Sequence, residues 1–182
     1  MSCVADQKTG GYGLYILVML LLASLLSLFV LPTVASEDPV PFEQLINDLN
    51  HQDSEHCWNA INALGASCDS HAVLPLMAAL RTDMKQRRGF FMAIIPALGQ
   101  LKDERAVLLL LEALNNREDD WLAREAAAHA LGDIGSAKAV PDLIRSAWMA
   151  DTRSAAVDAL AAIADPRAVD VLLSVLSEPK EP

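Results

Sequence analysis

The densest grouping of chemically versatile side chains in the chain is His51-Gln52-Asp53-Ser54-Glu55-His56-Cys57, with Cys68 and His71 a little further on. Imidazole, thiolate and carboxylate are the groups that hold zinc and related metals, so His51, Asp53, His56 and Cys57 are the candidate metal ligands. Their spacing matches no recurring zinc pattern, since neither Cys-x2-Cys nor His-Glu-x2-His occurs. A polar loop in which Asp53 or Ser54 caps the next helix accounts for the same residues more simply. Cys57 and Cys68 invite a disulfide, but on a helix running to Gly65 and its turn they stand about 12 Å apart along the axis, too far for one. Two free thiols are expected. Gly-x-Ser-x-Gly, a phosphate-cradling glycine loop and a recognisable Cys-His arrangement are all missing, so no catalytic residue and no cofactor are assigned.

A second group could recognise a partner rather than transform a substrate. Arg81, Lys85, Arg87 and Arg88 place four of the chain's 14 cations within eight residues, immediately before Phe90 and Phe91. A basic loop beside aromatic bulk suits an acidic partner, and Trp148, beyond the apolar stripe of its helix, is a further exposed anchor. The candidate partner-binding residues are therefore Arg81, Arg87, Arg88, Phe90, Phe91 and Trp148. The competing reading has the aromatics filling a core widened by a kink at Pro96.

The elements that carry these residues repeat. Ala63-Leu64-Gly65, Ala97-Leu98-Gly99, Ala130-Leu131-Gly132 and Ala159-Leu160-Ala161 advance by 34, 33 and 29 residues. So do Ala72-Val73, Ala106-Val107, Ala139-Val140 and Ala168-Val169. Two registers moving together mean that a whole helix pair is repeated. In each unit an alanine-rich first helix ends at its glycines, Gly132 and Gly135 in the third copy. A second helix follows, opened by a cap at Asp69, Asp103, Ser136 or Asp165. The defining positions are Leu64, Gly65, Leu98, Gly99, Leu131, Gly132 and Leu160. His71, Arg105, Lys138 and Arg167 each follow a cap by two residues and are expected to bridge to neighbouring acids at the surface. Glu118-Asp119-Asp120 is expected to cap the helix that starts at Trp121.

This double register resembles the short bacterial HEAT-like repeats found in phycobilin lyases, over about residues 39 to 178. The resemblance implies an all-α, right-handed α-solenoid with its second helices lining the concave side. Deoxyhypusine hydroxylase, a HEAT-like enzyme, holds two irons with His-Glu pairs early in its first helices. The matching positions here are Trp58-Asn59, Met92-Ala93, Glu125-Ala126 and Ser154-Ala155, so that chemistry does not carry over.

Before the repeats, Thr9 to Ser36 is uncharged, and Leu14 to Leu31 is eighteen residues of almost pure hydrocarbon. A helix of that length crosses a bilayer, while Pro32-Thr33-Val34-Ala35-Ser36 offers a signal peptidase a site after Ala35 or Ser36. Membrane anchor and removed signal both stay open, and either puts the repeats outside the cytoplasm. The net charge of −10 falls on the repeats and excludes a nucleic-acid surface, which needs clustered cations.

The chain is thus expected to hold a membrane or signal segment at 1–36 and a solenoid at 39–178. Within it, a half-repeat at 39–50 precedes repeats near 53–81, 86–115, 120–150 and 151–177, and 178–182 forms a tail. The expected function is a non-enzymatic scaffold or adaptor for a protein or peptide of the cell envelope, with self-association open. The alternative is an enzyme or cofactor-handling protein of lyase or metal-dependent type using the region His51 to His71.

Overall fold

The computed structural model describes residues 40–49, 54–116 and 120–177. Residues 41–182 form a unit separate from residues 1–40. The apolar segment Thr9 to Ser36 lies outside the described residues, among which no helix is long and apolar enough to cross a membrane. The described residues hold nine α-helices and no strand: α1 (Phe42–Asp48), α2 (Ser54–Ala66), α3 (Val73–Gln86), α4 (Phe91–Gln100), α5 (Val107–Asn115), α6 (Trp121–Ile134), α7 (Val140–Ser146), α8 (Arg153–Ile163) and α9 (Val169–Ser177). The first helices of the pairs are α2, α4, α6 and α8, and the second helices are α1, α3, α5, α7 and α9.

What fixes the stack is the Ala-Leu-Gly motif. Its leucines, Leu64, Leu98, Leu131 and Leu160, are completely buried. Its glycines lie within their helices, which corrects the expectation that Gly132 breaks one. They are small because the next helix touches them. A Cβ on Gly65 would sit 2.7 Å from the Ala97 Cβ, one on Gly99 2.9 Å from the Ala130 Cα, and one on Gly132 2.8 Å from the Ala159 Cα. Glycine of one repeat and alanine of the next therefore let α2, α4, α6 and α8 pack backbone against backbone. α1, α3, α5 and α7 each rest on the first helix that follows, and among the described residues no two second helices approach comparably. A stack spaced more closely in one layer bends toward that layer. The first helices thus line the inner side, correcting the expectation that the second helices do.

The true stop signal sits three residues beyond each glycine position. Cys68 (φ 54°), Lys102 (φ 51°), Gly135 (φ 75°) and Ala164 (φ 55°) all adopt the left-handed conformation that terminates a helix. After each comes the cap. A carboxylate oxygen of Asp69, Asp103 and Asp165 accepts from the backbone N–H of His71, Arg105 and Arg167 at 2.9 Å, and Ser136 Oγ accepts from Lys138 at 3.4 Å. The basic residues then tie neighbouring repeats together. Arg105 donates to the Ser70 carbonyl at 2.8 Å, Arg167 to the Ala137 carbonyl at 2.9 Å, and Lys138 to Glu104 at 2.6 Å.

Candidate interaction surface

The basic stretch lies at the end of α3 and in the connection to α4. Arg81, Arg87 and Arg88 are exposed, and Arg87 closes α3 in the left-handed conformation at φ 53°. Phe90 is only 8% exposed and Phe91 is half-buried. The expectation that Phe90 is a partner anchor is therefore corrected: its ring belongs to the core, with the Arg88 guanidinium 4.7 Å from the ring centroid. The helix α4 runs unbroken through Pro96.

Asp83, which sequence reasoning passed over, organises this corner. It is 4% exposed on α3, and its two carboxylate oxygens accept from the backbone N–H groups of Phe90 (3.1 Å) and Phe91 (2.9 Å). Those are free amides at the start of α4, so Asp83 caps the next helix from the previous one. The available signal was an acid late in a second helix, eight residues ahead of the next first helix. Asp83, Arg87, Phe91 and Asp120 border a hollow of about 210 Å³ on this rim. Trp148 is exposed in the connection after α7, two connections further along, so the structure does not gather it with the arginines. Asp120 does cap α6, accepting from the Leu122 N–H at 3.2 Å, while Glu118 and Asp119 lie outside the described residues.

Of the candidate metal ligands, His51 and Asp53 lie outside the described residues. His56 is exposed on α2, whereas Cys57 is buried and its thiol donates to the Leu49 carbonyl at 3.4 Å. Burial pushes the Cys57 thiol above its ordinary value, with the nearby Arg88 charge opposing, so it is held as the neutral thiol. Cys57 and Cys68 are both free. Among the described residues no three His, Cys, Asp or Glu side chains converge as a metal site would require.

The face that does gather is the inner side of the first helices. Counting from each motif leucine, the positions six before, two before and two after point away from the core. They read Trp58, Met92, Glu125 and Ser154; Asn62, Pro96, His129 and Asp158; Ala66, Gln100, Asp133 and Ala162. Trp58 and Met92 are each 42% exposed. Between α4 and α6 lies an open groove of about 240 Å³, lined by Met92, Pro96, Leu122, Glu125, His129 and Asp133 among others. The face is apolar toward the first repeat and acidic toward the last. Sequence periodicity held this signal, because these are the helix positions left when the buried set is removed.

A family model described as HEAT repeats matches residues 92–152, and one described as PBS lyase HEAT-like repeat matches residues 57–82 and 152–178. One relative, the "Uncharacterized phycocyanin operon protein Y" of Pseudanabaena tenuis (strain PCC 7409), is 30% identical over 115 residues, 62% of this chain and 27% of that protein. The chain spans about a quarter of the length of that relative. Matches from residue 57 to residue 178, on a stack built from the same repeated motif, place this chain in the HEAT-like repeat family, to which it belongs.

Proposed function

We propose that this chain is a non-enzymatic scaffold that holds a protein or peptide partner against the inner face of its first helices. The observation that carries the reading is the row of exposed Trp58, Met92 and Pro96 with half-buried Leu122, leading into half-buried Glu125 and exposed Asp133 and Asp158, with the groove between α4 and α6 at its centre. Buried apolar contacts supply affinity and charge supplies selection, so the matching partner offers an apolar anchor flanked by Lys or Arg. In this reading the apolar segment 14–31 brings the repeats to a membrane or exports them, and the partner is a protein of the cell envelope.

The test is affinity capture from cross-linked membranes with the full chain tagged at its C-terminus. Met92→Asp and His129→Arg should abolish capture of the main partner, while Arg81→Glu and Trp148→Ala leave it in place. Capture that survives the inner-face changes and fails on the rim changes returns the site to the arginine patch and overturns the proposal.

A second reading, a cofactor-handling protein of lyase type, draws support from the relative whose name refers to a phycocyanin operon. It predicts an absorbance shift when a free linear tetrapyrrole is titrated into the purified chain, and loss of that shift in Met92→Asp. Metal analysis of protein purified without a histidine tag tests the version that uses His56 and Cys57.

A further inference from the structure

We propose that the groove between α4 and α6 takes an α-helix of the partner, laid along the two helices, with Lys or Arg about two turns apart on its edge over α6. This rests on the inner face being the partner site and adds what the partner must present there. The groove runs with the axes of its walls. Met92, Pro96 and Gln100, all exposed, follow one another at four-residue steps along α4, and Glu125, His129 and Asp133 do so along α6. Each row spans about 12 Å, two helical turns. Ala126 and Ala130 also line the groove, and their small side chains admit the close approach of a third helix.

Two features select a helix that carries cations. The first is the backbone of the walls. Beyond their first turns both helices bond their backbone groups internally, except that Pro96 has no N–H to give the Met92 carbonyl. An extended segment would bring a row of N–H and C=O groups that find no matching row here, whereas a helix satisfies its own before it docks. The second feature is charge. The inward rows of the first helices hold Glu125, Asp133 and Asp158 and no Lys or Arg. Asp133 overhangs the seam, its Oδ2 standing 3.2 Å from where a Cβ on Gly99 would lie. Glu125 stands two turns before it on the same wall, so cations at that spacing along the partner's edge meet both.

The experiment places an apolar photo-cross-linking amino acid at Met92 or at Gln100 of the full-length chain in cells and identifies the joined peptides by mass spectrometry. Both probes should join one partner, at residues about eight apart in a single segment, with Lys or Arg at a like spacing beside them. The same probe at Leu108, 76% exposed on α5, should not join that segment. Joins about four residues apart mean an extended segment and overturn the helix while leaving the inner-face site intact. Joins to this chain's own sequence, joins scattered over unrelated proteins, or no join at either position overturn the proposal, and the last removes the inner-face site as well. A synthetic peptide of the joined segment, titrated against the purified full chain, supplies the second readout. Proline at the peptide's centre, or Glu125→Lys with Asp133→Lys in the chain, should each weaken binding by about tenfold or more. Exchanging the peptide's two cations for Glu should restore affinity for the doubly substituted chain. Should that double variant lose helicity, Asp133→Lys alone, at an exposed site, should do the same. Undiminished binding in either case sinks the idea.

Discussion

Two features of this molecule repeat in register, the inner seam between first helices and the ladder of caps along the turns, and they tolerate sequence change very differently. The seam is glycine against alanine at three successive steps, with no other residue admitted. The ladder uses Asp or Ser as the cap and His, Arg or Lys two residues later. At the seam two backbones meet and neither can yield, so a single methyl decides the spacing. In the ladder the cations are exposed and the caps sit at the edge of a turn with Ser136 alone buried, so any oxygen that reaches an amide, or any cation that reaches a carbonyl, serves. Repetition of a residue type thus reports lack of room more than strength of contact.

Gly132→Val presses hardest on that contrast. It forces the Ala159 backbone away and should cost about 3 kcal/mol, read as a fall in denaturation midpoint, with α8 losing amide protection first. If the loss is under about 1 kcal/mol, the seam is looser than the geometry states. Asp83→Ala comes next. It strands two amides at a buried helix start and should cost about 2 kcal/mol, whereas Asp83→Asn, which keeps one acceptor, should cost about half as much. On the ladder, Asp103→Ala should cost about 1 kcal/mol and Asp103→Ser less, since the fourth cap is already a serine.

The helix-stop position sharpens the comparison from the opposite side. Cys68, Lys102 and Ala164 occupy a left-handed conformation that glycine holds without strain, as Gly135 does. Ala164→Gly and Lys102→Gly should therefore each stabilise the chain by about 0.5 kcal/mol, after the greater freedom of glycine in the unfolded state is deducted. A loss in both would mean that the side chains there make contacts worth more than the strain.

The ladder also sets the response to acid. The Arg167 side chain holds the Asp165 carboxyl down at about 2, and Arg105 and Arg124 likewise hold Asp103 and Asp151 below the usual carboxylate range. These groups bind protons more weakly in the folded chain, so their contribution is complete above about pH 4 and is lost as pH falls toward 2. Asp103→Asn should flatten the stability profile between those limits, and an unchanged slope would remove that carboxylate from the account.

Much of this was legible from one chain of letters. The double register marks the helix pairs, and the caps and the leucines fall where spacing puts them. The role of the glycines was misread because a glycine that ends a helix and one that admits a neighbour look alike in sequence. The exposure of the arginine and aromatic patch was legible only in part for a similar reason: charge reports exposure for Arg81, Arg87 and Arg88, but an aromatic after a charge run does not report which way it turns. Phe90 went inward because Asp83, seven residues earlier, fixes the backbone at the start of α4.

The sequence by itself determined that this is a stack of helix pairs, because hydrophobic period, caps and repeat length are local properties written into each unit. Only the tertiary structure decided which layer lies inside and that Trp58, Trp121 and Trp148 all stay in contact with water. Those depend on how closely one repeat approaches the next, and that distance is set by pairs of residues about thirty positions apart.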